Sequence, residues 1–297
     1  MENQALKEAM AATSVAVERV LNGVLTVPDT PEGRVFEAMR YSVYAGGKRM
    51  RPLLVLAGAE LFGVEREHAL RVAAALECVH VYSLIHDDLP SMDDDDVRRG
   101  KPTLHKAFDE VTAILAGDGL LTLAFEMLAD DATHPDPYVR TELVSSLAKA
   151  SGAHGMVGGQ MIDISAANHT LDQQEIFRLQ NMKTGALIGY AAEAGAIMAR
   201  AGKQSRASLQ GYARDLGLAF QIADDLLDVE GDADEVGKAL GKDAEAGKAT
   251  IVGILGVDRA HQQAQILADQ AVDHLAEFDD KASLLRAIAH FAISRNS

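Results

Sequence analysis

The sequence has a single cysteine among its 297 residues. Cys78 therefore has no partner for an intrachain disulfide bond and cannot belong to a multi-cysteine metal site. This scarcity is typical of proteins from a reducing compartment, and we expect a cytoplasmic location. The first thirty residues also lack the apolar run of a signal peptide. No later stretch is predicted to be long and apolar enough to span a membrane.

Basic residues are also scarce. The chain has 28 lysines and arginines against 44 aspartates and glutamates, which gives a formal net charge of -16 at pH 7. Nucleic acids and anionic membrane surfaces are polyanions that attract basic patches, so this balance argues against both as partners. An acidic chain suits a protein that binds divalent cations.

Helix-breaking and sheet-forming patterns are missing from most of the chain. All seven prolines fall at or before Pro137, and no segment sustains the alternation of β-branched residues that predicts a strand. Apolar residues instead recur every three or four positions, which predicts helices. The predicted helices are Ala5–Leu25, Glu32–Tyr44, Arg51–Phe62, Glu67–Pro90, Phe108–Leu128, Tyr138–Ile164, Asp172–Arg200, Ser205–Val229, Thr250–Leu275 and Lys281–Ser294.

No linker or fixed-period repeat divides the sequence, so we expect one domain over residues 1–297. The predicted fold class is all-α, with no sheet and roughly ten antiparallel helices in one large bundle. The segment from Gly155 to Gln160 places small residues inside a predicted helix. Close helix packing explains these glycines, and a role for Gln160 or Asp163 near a ligand is the alternative.

Six aspartates lie within ten residues, from Asp87 to Asp96, and their mutual repulsion calls for a cation or a ligand. Asp87 and Asp93 are six residues apart, which is roughly 240° around an ideal helix. They can share a site only if the helix is broken, and Pro90 supplies a break. Asp94 would share the face of Asp87 on an unbroken helix, so spacing alone leaves the choice of ligands open.

A second acidic cluster, Asp224-Asp225-Leu226-Leu227-Asp228, lies within a predicted apolar helix. Asp224 and Asp228 are one turn apart and share a face, where like charges destabilise a bare helix. A solvated charge run would explain either cluster alone. Two such clusters beside apolar helices, without a histidine or thiolate ligand set, favour a magnesium site.

Magnesium held by few carboxylates completes its shell with water and substrate phosphates, so phosphate-binding cations are also expected. Taken singly, each basic residue could be an ordinary surface cation. Together with the acidic clusters, they indicate a diphosphate site. The candidate cations near predicted loops and helix ends are Lys48, Arg51, Arg98, Arg99, Lys183 and Lys238. His80 and His86 flank an apolar turn of the helix that enters the first cluster, and we interpret His86 as structural.

These motifs occur together in one order along the chain. They are the segment from Gly46 to Pro52, the acidic stretch from Asp87 followed by Arg98 to Thr103, Lys183-Thr184-Gly185, and the segment from Phe220 to Asp228. The set resembles the trans-prenyltransferases, or isoprenyl diphosphate synthases, with the closest likeness to bacterial farnesyl diphosphate synthases. The likeness covers nearly the whole chain. It implies the isoprenoid synthase fold, in which helices surround a deep central cavity.

The resemblance assigns roles to individual residues. Asp87, Asp93 and Asp224 would be direct ligands of a magnesium cluster, usually of three ions, with Asp88, Asp225 and Asp228 in support. The allylic diphosphate would be bound by Arg98, Lys183, Thr184, Gln221 and Lys238. Isopentenyl diphosphate would be bound by Lys48, Arg51, His80 and Arg99. Lys183, Thr184 and Gln221 would lie at the reacting centre.

The implied reaction is the magnesium-dependent 1'-4 condensation of isopentenyl diphosphate with dimethylallyl or geranyl diphosphate, which releases pyrophosphate. Tyr82 and Ser83 lie five and four positions before Asp87 and would form the cavity floor. An aromatic residue at the first position resembles synthases whose product is farnesyl diphosphate, although Tyr82 could be ordinary packing. Val236 is a departure, since relatives often have leucine before the corresponding glycine.

Other hypotheses stay open at this point. The same chemistry could yield geranyl or geranylgeranyl diphosphate. A terpene cyclase also uses aspartate-rich magnesium sites, but it has no second substrate for Lys48, Arg51, His80 and Arg99 to bind. A non-catalytic regulatory subunit related to these synthases is a further hypothesis, although such subunits typically lose the aspartate motifs that are intact here. A purely structural helical bundle is the third. The family likeness, rather than any pattern in the residues, suggests a homodimer.

Overall fold

The structure is a computed structural model that describes residues 2–166, 171–230 and 250–294. Most of these residues are helical, and very few lie in strands. The α-helices are α1 (Glu2–Val24), α2 (Gly33–Val43), α3 (Met50–Leu61), α4 (Arg66–Asp87), α5 (Leu104–Ala107), α6 (Glu110–Ala129), α7 (Pro137–Ser151), α8 (Met156–Ala166), α9 (Gln173–Gln180), α10 (Ala186–Met198), α11 (Lys203–Glu230), α12 (Ile251–Leu255), α13 (Val257–Asp273) and α14 (Ser283–Ser294). The predicted all-α class is confirmed.

Glycine interrupts two of the helices that periodicity predicted to be continuous. The predicted helix Tyr138–Ile164 is broken between α7 and α8, where Gly152 caps α7 in an extended conformation. The predicted helix Thr250–Leu275 is broken at Gly256, whose φ of 76° only glycine adopts readily. A single π-helical turn, Asn181–Gly185, joins α9 to α10 within the predicted helix Asp172–Arg200.

The expectation of no sheet is wrong at one hairpin. Strands β1 (Val97–Arg98) and β2 (Lys101–Pro102) pair antiparallel, with Val97 opposite Pro102. Arg99 and Gly100 both have positive φ, 52° and 73°, as a tight type I′ hairpin turn requires. Two-residue strands are too short to show any periodicity, so the sequence pattern could not reveal them.

Helix α4 lies in the centre of the larger hydrophobic core and packs against α1, α3 and α6. Its residues from Val72 to Val79 are all buried, which explains why its apolar residues follow no single stripe. A smaller hydrophobic cluster joins α9, α11, α12 and α13. Helix α11 contributes to both clusters, and its end with the second acidic motif packs in the smaller one.

By length and composition alone, α4 and α6 could each cross a membrane, which sequence inspection did not anticipate. Within the structure, 67% of the most apolar window of α4 is buried, and the corresponding share for α6 is 44%. Core helices of water-soluble proteins pass the same test.

Helices α3 and α10 approach each other backbone to backbone. A Cβ atom on Gly58 would lie 2.9 Å from the carbonyl oxygen of Ala192, and one on Gly195 would overlap the backbone of Gly58 and Ala59. Real Cβ contacts of this kind do not occur without a shift, so this crossing needs glycine on both helices.

Gly195→Ala is therefore expected to lower the free energy of unfolding by about 1–3 kcal/mol. The added methyl group would overlap the backbone of Gly58 and Ala59, which cannot move aside as a flexible side chain could. Gly189 is a matched control on the same helix, since a Cβ added there would have nothing within 4 Å. Gly189→Ala should be neutral or stabilising by up to about 1 kcal/mol. Urea unfolding of both variants measures the difference, and equal stabilities would contradict this account of the crossing.

Candidate active site

The first acidic motif begins at the last residue of α4. The helix ends at Asp87, three residues before the end that we predicted, since a residue before proline disfavours helical geometry. The chain then folds back, and the Asp93 amide donates to the Asp87 carbonyl oxygen at 2.9 Å. Asp94, at a φ of 51°, is part of this turn. The expected break near Pro90 is present and brings residue 93 beside residue 87.

The six aspartates of this stretch differ in their partners. Asp88 is buried and accepts hydrogen bonds from Arg98, whose Nη2 lies 2.6 Å from Oδ1, and Asp95 lies 3.7 Å from the same guanidinium. Asp96 forms an exposed ion pair of 2.8 Å with Lys106. Asp88 therefore orients Arg98 in this structure, which is a different contact from the supporting metal ligand suggested by resemblance.

The Asp87 carboxylate is poorly solvated. Burial raises the pKa of its carboxyl to about 6, the Lys183 charge opposes that rise, and the Asp93 charge adds to it. A half-buried carboxylate without a bound cation is poorly solvated, and an incoming cation would favour its charged form. This chemistry fits a ligand of a divalent metal.

The second acidic motif lies near the end of α11. Ile222 and Leu226 are buried in the smaller hydrophobic cluster, and Asp224 is exposed on another face. Asp225 is buried, and its Oδ2 accepts a 2.8 Å hydrogen bond from the Ile251 amide at the start of α12. This bond makes Asp225 an anchor for the chain that follows. Asp228 is half-buried.

Asp87, Asp93 and Asp224 do not form a compact metal cluster in the described ranges, where no group of three or more His, Cys, Asp or Glu side chains could hold an ion. The two motifs instead supply separate carboxylates. Magnesium commonly binds through one or two carboxylates and fills its other positions with water and substrate phosphates. The open arrangement fits such an ion bound together with a diphosphate.

A cationic group lies beside the first motif. The Arg99 guanidinium donates to the Gly46 carbonyl oxygen and lies against Gly47, where a Cβ would be only 2.6 Å from it. This contact connects the hairpin to the loop that precedes α3. Lys48 and Arg51 come from the same loop and the first turn of α3. The sequence-predicted group Lys48, Arg51 and Arg99 is thus formed by two adjoining segments.

The positive charges of this group are partly removed from water. Burial lowers the pKa of Arg51 and the pKa of Arg99. The pKa of His80 is lowered chiefly by its own burial, and the charges of Arg51 and Arg99 lower it further. His80 is therefore neutral at physiological pH. The Nε atom of Arg51 is buried and has no acceptor in the part of the chain that the structure describes. A diphosphate would supply acceptors and negative charge.

Arg49 and Glu77 are residues whose importance the sequence analysis missed. Arg49 is buried with a φ of 50°, and its guanidinium pairs with Glu77 and donates to the Val43 carbonyl oxygen. Glu77 is one turn before His80 on α4. Its charge opposes the lowering of the Arg51 pKa by burial. A signal existed, since Glu77 is the one acidic residue in the apolar run between Arg71 and Asp87.

Lys183 and Thr184 lie in the π-helical turn, half-buried, and Gln221 is half-buried on α11. The Lys183 ammonium pairs with Asp163 on α8. Gly159 packs on the Lys183 backbone, which supports close packing as the reason for the glycines from Gly155 to Gly159. Lys238, the remaining predicted cation, lies outside the described residues, as does Val236.

Tyr82 and Ser83 occupy different surroundings on α4. Tyr82 is 6% exposed, and its ring meets His86 edge-on at a centroid distance of 5.7 Å. Burial and the Asp87 charge raise the pKa of Tyr82 to about 12, so its hydroxyl stays protonated. Ser83 is half-buried, and its hydroxyl donates to the His80 carbonyl oxygen at 2.9 Å.

A family model described as "Polyprenyl synthetase" matches residues 32–288. The chain belongs to this family. It is 44% identical to farnesyl diphosphate synthase from Escherichia coli strain K12, over 99% of this chain and 98% of that protein. It is 42% identical to geranylgeranyl diphosphate synthase from Cyanophora paradoxa, over 95% of this chain and 93% of that protein.

Solved structures of the family give the same result. An apo FPP/GFPP synthase from Zymomonas mobilis matches with a TM-score of 0.91 and 53% identity, over 98% of this chain and 99% of that chain. The chain is thus a member of the metal-dependent trans-prenyltransferases with the all-α isoprenoid synthase fold. Its polyprenyl synthetase relatives differ in product length.

Asp87→Asn is expected to stabilise the metal-free protein near neutral pH. Because burial raises the Asp87 pKa from its ordinary 3.8 to about 6, the folded state binds a proton more tightly than the unfolded chain does. Folding stability therefore falls as pH rises between about 4 and 6, and the asparagine removes this loss. We expect a gain of about 1–2 kcal/mol near pH 7 that disappears near pH 4, measured by urea unfolding in chelator.

Asp96→Asn is the control for this titration. Its hydrogen bond and ion pair with Lys106 lower the Asp96 pKa, so removing this charge should give no gain near neutral pH. A gain in both variants would indicate general relief of the negative charge of the stretch.

Proposed function

We propose that this chain condenses isopentenyl diphosphate with dimethylallyl diphosphate and then geranyl diphosphate, giving (2E,6E)-farnesyl diphosphate and pyrophosphate. The observation that carries the proposal is that the described residues contain two separate groups with positive charge. One group combines Arg51, Arg99 and the neutral His80, and the other brings Lys183 near Asp87. A cyclase, which takes one diphosphate, has no use for both.

The chain's residues would act mainly by binding and orientation. Lys48, Arg51, His80 and Arg99 would hold isopentenyl diphosphate, and its cationic members would neutralise the diphosphate. The allylic diphosphate would be bound by Arg98, Lys183, Thr184, Gln221 and Lys238. Asp87, Asp93 and Asp224, supported by Asp88, Asp225 and Asp228, would hold Mg²⁺, up to three ions. When bound, Mg²⁺ supplies positive charge that stabilises the departing pyrophosphate.

The bonds change in a simple order. The allylic carbon loses its bond to the diphosphate oxygen, and the double bond of isopentenyl diphosphate supplies the electron pair for the new carbon–carbon bond. A proton then leaves the condensed chain for the released pyrophosphate, so the protein need supply neither the nucleophile nor the base. Thr184 and Gln221 would line the reacting carbon, and a deep helical cavity would keep water from the cation.

Purified protein incubated with magnesium, dimethylallyl diphosphate and labelled isopentenyl diphosphate tests this function directly. We expect consumption of the labelled substrate, release of pyrophosphate and a fifteen-carbon product. Geranyl or geranylgeranyl diphosphate as the sole product would favour one of the alternative product lengths. The condensation reaction itself would be the same. No consumption of isopentenyl diphosphate by the chain alone would instead favour a cyclase or a non-catalytic subunit.

Tyr82 supports the farnesyl assignment, because its buried ring lies five residues before Asp87 on one rigid helix. Tyr82→Ala should lengthen the main product by at least one five-carbon unit, since it removes the ring that would block the growing chain. Chromatography of the dephosphorylated products measures this. Ser83→Ala is the matched control and should leave the main product unchanged, and unchanged length in Tyr82→Ala would remove Tyr82 from the cavity floor.

We also propose a cytoplasmic homodimer of a single domain over residues 1–297. Val111, Ile114 and Leu115 are 68%, 44% and 48% exposed on one face of α6, at helical spacing. A second copy of the chain would cover this apolar face.

Cys78 is buried and unpaired, and burial raises its pKa to about 12, as suits a structural thiol in a reducing compartment.

Leu115→Glu is expected to weaken the dimer, because a charge would be placed in a desolvated interface. Sedimentation analysis should show a shift from dimer to monomer by at least about tenfold in the dissociation constant. Ile266→Glu is the matched control, since Ile266 is 49% exposed on α13. A wild-type monomer, or equal effects of both substitutions, would contradict the assignment of this face.

A further inference from the structure

Helix α8 contacts Lys183 through both its backbone and its side chain. Gly159 lies against the π-helical turn so closely that a Cβ there would be 2.6 Å from the Lys183 Cα. Four residues later, on the same face of α8, Asp163 pairs with the Lys183 ammonium. The exposed fractions of the two side chains are only 29% for Lys183 and 17% for Asp163, so this pair is largely shielded from water.

The Lys183 ammonium also lies within electrostatic range of Asp87. Of the charges that act on Asp87, that of Lys183 has the largest effect. The ammonium thus pairs with one carboxylate on α8, and a second carboxylate, at the end of α4, interacts with it electrostatically. Since an ammonium has three hydrogen-bond donors, Lys183 can keep Asp163 as a partner and still donate to another anion.

We propose that Asp163 is a positioning residue, which holds the Lys183 ammonium facing the allylic diphosphate and prevents it from pairing with Asp87. This inference rests on the proposed function of Lys183 and Asp87. Without the Asp163 charge, Lys183 turns toward Asp87 and neutralises the carboxylate that Mg²⁺ requires. Asp163 would therefore favour binding of the metal and of the diphosphate while touching neither.

Asp163→Asn tests the proposal, because it removes the charge and keeps the side-chain shape. Titration calorimetry with inorganic pyrophosphate and Mg²⁺ should show about tenfold weaker binding, the effect of losing one charge-assisted contact. The KM for the allylic substrate should rise by a similar factor, and the KM for isopentenyl diphosphate should stay within about twofold. Asp163→Glu should restore part of the pyrophosphate affinity.

Glu142→Gln is the matched control. Glu142 pairs with Arg206 in a partly buried ion pair between α7 and α11, and its loss should leave pyrophosphate binding unchanged. Unchanged or tighter pyrophosphate binding in Asp163→Asn would overturn the proposal. An equal rise of both KM values together with a lower melting temperature would also overturn it, since that result indicates a purely structural role.

Lys183→Ala separates this inference from the function on which it rests. If Lys183→Ala leaves pyrophosphate binding unchanged, the proposed diphosphate role of Lys183 fails. If Lys183→Ala weakens that binding and Asp163→Asn does not, the role of Lys183 stands and the positioning role of Asp163 fails.

Discussion

Concentrated like charge within an apolar helical framework is the condition on which this site depends. Burial raises the pKa of Asp87. Burial also lowers the pKa values of Arg51 and Arg99. Each of these groups is less stable in the folded protein than it would be in water, and an opposite charge would relieve it. The substrate and metal of a prenyltransferase bring such charges. Binding of the metal and of the diphosphate would therefore stabilise charges that are poorly solvated in the folded protein.

Other ion pairs keep this arrangement in place. Glu77 with Arg49 fixes the loop before α3, and Asp88 with Arg98 fixes the hairpin after α4. Neither acidic residue needs to touch substrate for this purpose. Removing one partner of a buried pair leaves an uncompensated charge, typically at about 3–5 kcal/mol. One carboxylate thus orients Arg98, a cation that would bind substrate, and another fixes the loop that contains Lys48.

Periodicity predicted the class of fold, and charge spacing predicted the turn that brings Asp93 beside Asp87. The helices follow from apolar repeats, and the need for a break between Asp87 and Asp93 follows from helix geometry alone. The breaks at Gly152 and Gly256 and the hairpin turn at Arg99 were missed, because isolated residues with special backbone geometry leave no periodic signal. Asp88 and Asp225 contact Arg98 and Ile251, which only the three-dimensional arrangement could reveal.

The π-helical turn gives the orientation of Lys183 an unusual origin. Helices α9 and α10 are joined by this wide turn, as if the helix contained one residue more than a regular spiral accommodates. The extra residue is absorbed within the turn, so its side chains, that of Lys183 among them, leave the helix in directions that a regular α-helix would not give them. The direction of Lys183 therefore depends on the number of residues between α9 and α10 as well as on their identity.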